Sequence, residues 1–150
     1  MKAYLNRRYL FSASHRLHND RFSEGENREL YGKCNNPFGH GHNYTVEVTV
    51  SGQVDSRTGM VCNLVDLDEC VRTAILDRYD HQNLNCLPEF KDKVPTTENL
   101  CVHVFEILQR EMGSAHLQNT SLSKAKLERI KFDETMMNSF EYSGGAEPRR

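Results

Sequence analysis

The sequence has 150 residues, of which 37% are hydrophobic, and its 19 basic and 21 acidic side chains give a formal charge of −2. A chain of this length can bury one substantial core, so we expect a single domain over residues 1–150. The near balance of interspersed charges argues against a nucleic-acid or membrane surface built on bulk electrostatics. A small molecule is the expected partner.

The cysteine count and the absence of long apolar runs indicate the compartment. The N-terminal segment has no apolar stretch of signal-peptide length, and no later run approaches the roughly 20 apolar residues that cross a bilayer. We therefore expect a cytoplasmic protein. Five cysteines without pairwise spacing fit reduced thiols in that compartment.

Two strands are expected in the first part of the chain. Residues 4–15 carry enough aromatic and aliphatic side chains for a strand. In residues 43–55, apolar residues from Tyr44 to Val50 alternate with polar ones, which predicts a strand with one buried face. A turn-rich stretch around Gly59 suits a reversal of direction.

Two helices are expected next. From Asp66 the apolar residues recur at i+4, which predicts a helix that begins with an Asp66–Glu69 capping box and ends near Tyr79. A polar loop follows. Thr96 or Thr97 then caps a second amphipathic helix.

The order of elements predicts the fold class. Residues 124–134 and 136–143 are interpreted as two final strands, and residues 144–150 as a flexible tail. The order β-β-α-α-β-β is typical of an α+β domain, with an antiparallel four-stranded sheet and both helices on one face. Such a sheet leaves open edges, which are a liability unless another subunit pairs with them, so we expect an oligomer.

Three histidines form a candidate metal site. In an extended segment, residues i and i+2 point to the same side, so His40 and His42 present two imidazoles to one point with only Gly41 between them. His15 ends the first strand, and antiparallel pairing would place it beside the start of the second. Three histidines from neighbouring strands can hold zinc with its fourth position open. His18 competes for the third place, but its i+3 offset puts it on the wrong face.

Cys34 lies in a loop rich in Gly, Asn and Pro, next to Lys33 and six residues before the paired histidines. A neighbouring cation and a metal could lower the pKa of its thiol. As a zinc ligand Cys34 would close the site, and as a base or nucleophile it would leave the metal free to polarise a substrate oxygen. Both interpretations stay open at this point. The other cysteines are interpreted as small buried apolar residues: Cys62, Cys70, Cys86 and Cys101.

Asp80, His81 and Glu134 are further candidates for residues of the site. Asp80 and His81 are adjacent after the first helix, and a carboxylate can orient an imidazole that takes a proton from a thiol. The alternative is a solvated pair at a helix C-terminus. Glu134 follows Asp133 and by default would be an exposed acid at a turn.

Taken together, these residues resemble the 6-pyruvoyltetrahydropterin synthase family. The resemblance runs nearly the whole length, through FSASHRL, YGKCNNPFGHGHNY, TGMVCNLVDL, DHQNLN, TTEN and KFDET. It implies the tunnelling fold, in which subunits of β-β-α-α-β-β topology form trimers whose sheets close into a barrel, and two trimers stack into a hexamer. A homohexamer with sites at subunit interfaces would cover the open sheet edges.

Matched by position, the resemblance implies a catalytic centre. Cys34 matches the catalytic thiol, and Asp80 with His81 matches the pair that activates it, which the family takes from a neighbouring subunit. The matched zinc ligands are His15, His40 and His42.

The resemblance also implies how the substrate is held. Glu134 matches the acid that anchors the pterin through its 2-amino and N3 hydrogens, and Thr96 and Thr97 match positions that line the pterin pocket. The triphosphate carries several negative charges, so a cationic side chain is expected to bind it. Arg16 and Lys33 are the candidates because they are close to the site, with ordinary solvated charges as the alternative.

The implied activity is that of a lyase in tetrahydrobiopterin biosynthesis. It converts 7,8-dihydroneopterin triphosphate to 6-pyruvoyl-5,6,7,8-tetrahydropterin and releases triphosphate. Zn²⁺ would acidify the C–H groups of the substrate side chain while the Cys34 thiolate shuttles protons. Mg²⁺ could accompany the triphosphate.

Several alternatives compete with this interpretation. The 6-carboxy-5,6,7,8-tetrahydropterin synthases of queuosine biosynthesis typically have three residues between Cys and His-Gly-His, whereas Asn35 to Gly39 make five here. A related group that cleaves the side chain replaces the thiol by Glu, so Cys34 argues against it. Two other classes are a non-catalytic zinc-stabilised module closed by Cys34, and a thiol hydrolase that would leave the other histidines unexplained.

Overall fold

The structure, a computed structural model, describes residues 1–145, so residues 146–150 of the expected tail lie outside the described residues. Residues 1–145 contain one sheet with the strand order β3-β1-β2-β4-β5. The strands are β1 (Lys2–His15), β2 (His40–Gln53), β3 (Gln82–Asn83), β4 (Lys126–Asp133) and β5 (Ser139–Tyr142). The helices are α1 (Glu24–Tyr31), α2 (Leu64–Val71), α3 (Asp77–Tyr79) and α4 (Thr97–Met112). The predicted α+β class is confirmed.

The two long strands β1 and β2 form the centre of the sheet. They pair antiparallel from Lys2 opposite Gln53 to His15 opposite His40. This register brings the end of β1 to the start of β2, as the sequence predicted.

The two faces of β2 are both buried, which differs from the prediction of one buried face. The residues on the core side have no exposed surface: Tyr44, Val46, Val48 and Val50. On the other side Glu47 is also buried, because Arg8 of β1 and Arg129 of β4 both form ion pairs with it. Charged neighbours therefore cover the polar face.

The expected sheet of four antiparallel strands is wrong in one respect. The short strand β3 pairs parallel to β1, with Gln82 opposite Ala13. The backbone N–H of His81 also donates to the carbonyl of Ser12 at 2.6 Å. The polar sequence of β3 has no apolar alternation that could have announced it, and its pairing is set by these backbone contacts.

The helix that contains α2 begins at Leu64, two residues before the predicted start at Asp66. Asn63 caps it by accepting a backbone hydrogen bond, whereas the Asp66 carboxylate binds Ser121. A π-helical stretch, Arg72–Leu76, leads from α2 into α3, and the helix ends at Tyr79 as predicted.

The helix α4 begins after Thr96, whose hydroxyl accepts a hydrogen bond from the backbone N–H of Asn99 at 3.2 Å. Its apolar side and that of α2 enter one core with the apolar residues of β2, which agrees with two helices on one face of the sheet. Among the described residues, no helix is both long and apolar enough to cross a membrane.

The helix α1 was not predicted. Of its residues only Asn27 is buried, so it has no apolar stripe to reveal it. A capping box formed by Ser23 and Glu26 defines its start. That Ser-x-x-Glu pattern was the available signal.

Candidate active site

The three histidines converge where β1 ends and β2 begins. Their candidate ligand atoms lie within 4.8 Å of one another, and Nε2 of His15 lies 3.1 Å from Nε2 of His40. Two nitrogen ligands of one tetrahedral metal ion lie about 3.3 Å apart at ordinary bond lengths. The group formed by His15, His40 and His42 therefore has the spacing of a metal site, as the strand pairing predicted.

The protonation state of His15 suits metal binding. Its Nδ1 lies 2.7 Å from the carbonyl oxygen of Pro95, and a carbonyl can only accept, so Nδ1 carries the proton and Nε2 keeps a lone pair. Burial lowers the pKa of His15 and of His42. Neutral imidazoles are the form that binds metals. The donor set therefore fits a divalent metal ion.

The loop before β2 packs tightly against the end of β1. Gly39 has φ +71°, and a Cβ atom there would lie 2.9 Å from the carbonyl oxygen of His15. The backbone N–H of Leu17 donates to the carbonyl of Cys34 at 2.8 Å. Glycine at position 39 thus permits a close approach that holds the Cys34 loop beside the histidines.

Cys34 lies in a 3-10 turn, Gly32–Asn35, and is half-buried. Within residues 1–145 its sulfur is not a member of the group of ligand atoms formed by the three histidines. The arrangement therefore has three imidazole donors without a thiol.

The other cysteines were predicted to be buried. This prediction is wrong for Cys86, which is exposed because it lies in a short surface 3-10 turn. The remaining ones are buried as predicted: Cys62, Cys70 and Cys101.

Glu134 is not the exposed turn acid of the default interpretation. Its carboxylate lies 3.6 Å from Nε2 of His42 and 3.9 Å from Nε2 of His15. Thr97 donates to Oε1 at 2.5 Å and Asn138 to Oε2 at 2.8 Å. Burial raises the pKa of Glu134, but these hydrogen bonds and the nearby imidazoles outweigh it and lower the pKa. An ionised, oriented carboxylate thus adjoins the histidine group.

The two candidate threonines have different roles. Thr97 contacts Glu134, whereas the Thr96 hydroxyl is used to cap α4. The structure therefore brings one of the two to the site.

Asp80 and His81 lie at the edge of the sheet, directly after α3. Oδ1 of Asp80 accepts from the backbone N–H of Ser12 at 3.0 Å and lies 2.9 Å from Nδ1 of His81. The Ser12 hydrogen bond lowers the pKa of Asp80. His81 has φ +59°, a left-handed conformation that costs energy for a residue with a side chain. When Nδ1–H donates to Asp80, Nε2 is left as a proton acceptor.

His81 and one member of the histidine group, His42, line the same cavity. Its volume is about 460 Å³. Among the described residues, Asp80, His15 and His40 do not line this cavity, so it does not by itself bring the Asp80–His81 pair to the candidate metal site within one protomer.

Arg16 and Lys33, the two candidates for binding the triphosphate, lie near the Cys34 loop. Arg16 donates from Nε to the carbonyl of Asn35 at 3.1 Å. Arg16 and Lys33 both line a further cavity.

His18 is held by Asn35 through its Nδ1. It is absent from the histidine group formed within residues 1–145, so its exclusion as a third metal ligand is confirmed.

Tyr44 lies beside the histidine group and was not among the predicted site residues. Tyr44 is completely buried, and its hydroxyl has no hydrogen-bond partner among the described residues. Its ring centroid lies 5.5 Å from that of His42. Burial raises its pKa. Tyr44 shares the strand parity of His40 and His42, and this signal could have identified it.

Known proteins resemble this chain in sequence and in fold. A family model described as 6-pyruvoyl tetrahydropterin synthase matches residues 4–145. The protein is 45% identical over 143 residues to a 6-pyruvoyl tetrahydrobiopterin synthase of Drosophila melanogaster, covering 95% of this sequence and 80% of that protein. It is 52% identical over 110 residues to one of Homo sapiens, covering 73% and 76%. The solved 6-pyruvoyl tetrahydropterin synthase of Caenorhabditis elegans matches with a TM-score of 0.85 and 38% identity over 97% of each protein. The chain therefore belongs to the 6-pyruvoyl tetrahydropterin synthase family.

Proposed function

We propose that the protein converts 7,8-dihydroneopterin triphosphate to 6-pyruvoyl-5,6,7,8-tetrahydropterin with elimination of triphosphate. The observation that carries the proposal is the contact between a three-histidine group and an ionised carboxylate, Glu134, 3.6 Å from His42. It joins a metal site to an anchor for a nitrogen heterocycle. The names of the relatives support an enzyme of this kind.

Zn²⁺ fits the three histidines because a set of three neutral imidazoles with an open fourth position is a donor set of catalytic zinc. When bound, it supplies a Lewis acid that acidifies the C–H groups of the substrate side chain. The ligands are His15, His40 and His42.

The side chains of the protein then have separate tasks. The Glu134 carboxylate accepts hydrogen bonds from the pterin N3–H and 2-amino group and fixes its orientation. The Cys34 thiolate moves protons from the carbinol carbons of the substrate to the ring, and Nε2 of His81 takes the thiol proton. Asp80 holds the imidazole of His81 in the tautomer that can do so. Hydrogen is only redistributed within the substrate, so no external redox cofactor is required.

The substrate phosphates and the assembly complete the proposal. We assign the triphosphate to Arg16 and Lys33, with Mg²⁺ as a further counterion. We also propose a single catalytic domain, a cytoplasmic location and a homohexamer built as a dimer of trimers with the sites at subunit interfaces, in which Asp80 and His81 act across the interface.

Product analysis tests the reaction. The purified protein is incubated with 7,8-dihydroneopterin triphosphate, and the products are identified by mass spectrometry. Loss of triphosphate with a retained three-carbon side chain supports the proposal. A carboxylate at C6 with release of a two-carbon fragment would instead identify a 6-carboxytetrahydropterin synthase, which the five-residue spacer between Cys34 and His40 disfavours.

A cysteine variant separates catalysis from a structural zinc module. Cys34→Ala is expected to keep its metal, measured by elemental analysis, and its melting temperature, while turnover is lost. Cys86→Ala is the matched control, because Cys86 is free and exposed, and it should retain both metal and turnover. If Cys34→Ala released the metal and unfolded, the thiol would be a ligand and its catalytic assignment would fail.

A further inference from the structure

A concave basic site lies between α1, the turn Gly32–Asn35 and the end of β1. It is a cavity of about 310 Å³. Its ionisable lining residues are Arg16, His18, Glu24, Arg28 and Lys33. Three permanent cations thus share the cavity with one acid.

The three cations of this cavity are not neutralised by the rest of the fold. Among residues 1–145, no carboxylate oxygen lies within the 4.0 Å ion-pair distance of the side-chain nitrogens of Arg16, Arg28 or Lys33. Of the eight other arginines in residues 1–145, five form ion pairs and three, Arg21, Arg57 and Arg110, do not. The paired ones are Arg7, Arg8, Arg72, Arg78 and Arg129. A concave surface with unpaired cations attracts anions.

His18 adds a directed hydrogen-bond donor to the lining. The buried amide Nδ2 of Asn35 donates to the carbonyl of Leu17 at 2.8 Å and lies 3.0 Å from Nδ1 of His18. The carbonyl fixes the orientation of the amide, so Nδ1 of neutral His18 must accept and Nε2 carries the proton. Oδ1 of the fully exposed Asp20 lies 3.3 Å from Nε2, so an anion has to displace Asp20 to reach this N–H.

The cavity is continuous in sequence with the candidate active site. Arg16 follows the metal-site residue His15, and Lys33 precedes Cys34. The hydrogen bond from Leu17 N–H to the Cys34 carbonyl joins the two segments. The cavity therefore adjoins, along the chain, both the end of the metal-site strand and the thiol loop.

We propose that this cavity binds the oligophosphate end of the substrate, with Arg28 and His18 completing the set that Arg16 and Lys33 begin. The inference rests on the proposed function. Guanidinium groups bind phosphate oxygens in bidentate fashion, and lysine adds a compact charge. Arg28 belongs to α1, the helix without an apolar stripe, so this assignment gives α1 a role in binding.

A neighbouring cavity offers an internal comparison. It has a volume of about 380 Å³ and shares Arg16 and His18 with the first. Its other ionisable residues are Arg21, Lys91, Lys93, Asp20 and Asp92. Its four permanent cations and two acids give the same formal charge of +2 as the three cations and one acid of the first cavity. It does not include the segment next to the thiol, so the first cavity is the better phosphate site.

Calorimetry with inorganic tripolyphosphate tests the assignment, because this anion is the proposed leaving group and its binding requires no turnover. Arg28→Ala combined with Lys33→Ala should weaken binding by about tenfold or more, since two charge-assisted contacts are lost. Lys91→Ala combined with Lys93→Ala is the matched control and should bind as the wild type does. All four side chains belong to exposed residues, and melting curves verify folding. If the Arg28/Lys33 variant is unfolded, Arg28→Gln alone should still weaken binding.

The outcomes separate the two proposals. Unchanged tripolyphosphate binding by the Arg28/Lys33 variant, loss of binding only in the Lys91/Lys93 variant, or no binding by the wild type would each overturn the cavity assignment. The Arg28/Lys33 variant should bind neopterin, which lacks phosphates, with wild-type affinity. If tripolyphosphate binds through Arg28 and Lys33 but the pterin triphosphate is not turned over, the proposed reaction fails while the oligophosphate site stands.

Discussion

The hydroxyl of Thr97 donates a 2.5 Å hydrogen bond to Oε1 of Glu134 and so joins the first residue of α4 to the end of β4. The amide of Asn138 donates to the other oxygen, Oε2, at 2.8 Å. The carboxylate is held at both oxygens, and each oxygen keeps a lone pair for a ligand. This arrangement orients Glu134 beside His42 before any ligand arrives.

Thr97→Val tests the orientation of Glu134 because it keeps the side-chain shape and removes only the hydroxyl. Loss of a hydrogen bond to a charged group should raise KM for the pterin substrate by about tenfold or more, with a smaller effect on kcat. Thr97→Ser should restore KM, and the metal content of both variants should match the wild type. A wild-type KM for Thr97→Val would show that the carboxylate is oriented without this contact.

Asp80→Asn tests the proposed support of His81. An asparagine amide can donate to Nδ1 and so leave the proton on Nε2, the nitrogen that must accept. We expect kcat to fall by about a hundredfold, while the metal content and the melting temperature change little because the Asp80 side chain is 44% exposed. Asp77→Asn, which changes an exposed carboxylate at the start of α3, is the control and should keep wild-type kcat. Equal kcat values for the two variants would remove Asp80 from the proposed mechanism.

The metal site was predictable because it depends on regular strand geometry. Alternation places His40 and His42 on one side of β2, and antiparallel pairing brings His15 opposite His40. The alternation of side chains is a local rule, and the second rule requires only that two neighbouring strands pair antiparallel. The parity rule also reaches Tyr44, although only the structure shows that its hydroxyl is buried.

Other parts of the site depend on contacts between distant segments, and no local pattern encodes them. Thr97 and Glu134 are 37 residues apart, and the amino-acid pattern at neither position announces the other. The short strand β3 is fixed by backbone bonds to β1, and α1 has polar residues on nearly every side. Hydrophobic periodicity detects burial, and these features contribute little apolar burial.

Gly39→Ala tests the close approach between the Cys34 loop and the end of β1. Gly39 has φ +71°, and an added Cβ would lie 2.9 Å from the carbonyl oxygen of His15, a backbone atom that cannot move freely. Gly59→Ala is the matched control, because Gly59 has φ +72° but nothing within 4 Å of the added atom. Both variants lose about 1–2 kcal/mol through the left-handed conformation.

The clash should add to that loss only at position 39. We expect Gly39→Ala to have the lower free energy of unfolding of the two variants in urea, and to bind metal more weakly because the His15 backbone shifts. Equal unfolding free energies with unchanged metal affinity would contradict the inference that this contact positions the site.

Glu89 connects the helix end at α3 to the loop before α4. Its carboxylate accepts hydrogen bonds from Arg78 at 2.8 Å and 2.9 Å and from the Tyr79 hydroxyl at 2.8 Å. His103 lies 3.7 Å away, and the Glu89 side chain is only 6% exposed. Burial raises the pKa of Glu89, but the bonds from Arg78 and Tyr79 outweigh it and lower the pKa to about 2.

Glu89→Gln should therefore lower stability in a pH-dependent way. The folded pKa lies below the ordinary value of 4.5, so the stabilisation by Glu89 is fully present above pH 4.5 and is lost as the pH falls towards 2. The variant should be less stable than the wild type by about 1–3 kcal/mol near neutral pH. The difference should shrink as the pH falls from 4.5 to 2.

Urea unfolding between pH 2 and pH 7 measures this difference. Glu106→Gln is the control, because Glu106 is an exposed acid in α4, and its curve should stay parallel to that of the wild type. A constant difference for Glu89→Gln across the whole range would mean that the variant loses packing and not charge. A lowered pKa of Glu89 requires that unfolding at acid pH takes up a proton, which makes stability depend on pH. Without that dependence, the ion pair with Arg78 would contribute nothing to the acid sensitivity of the fold.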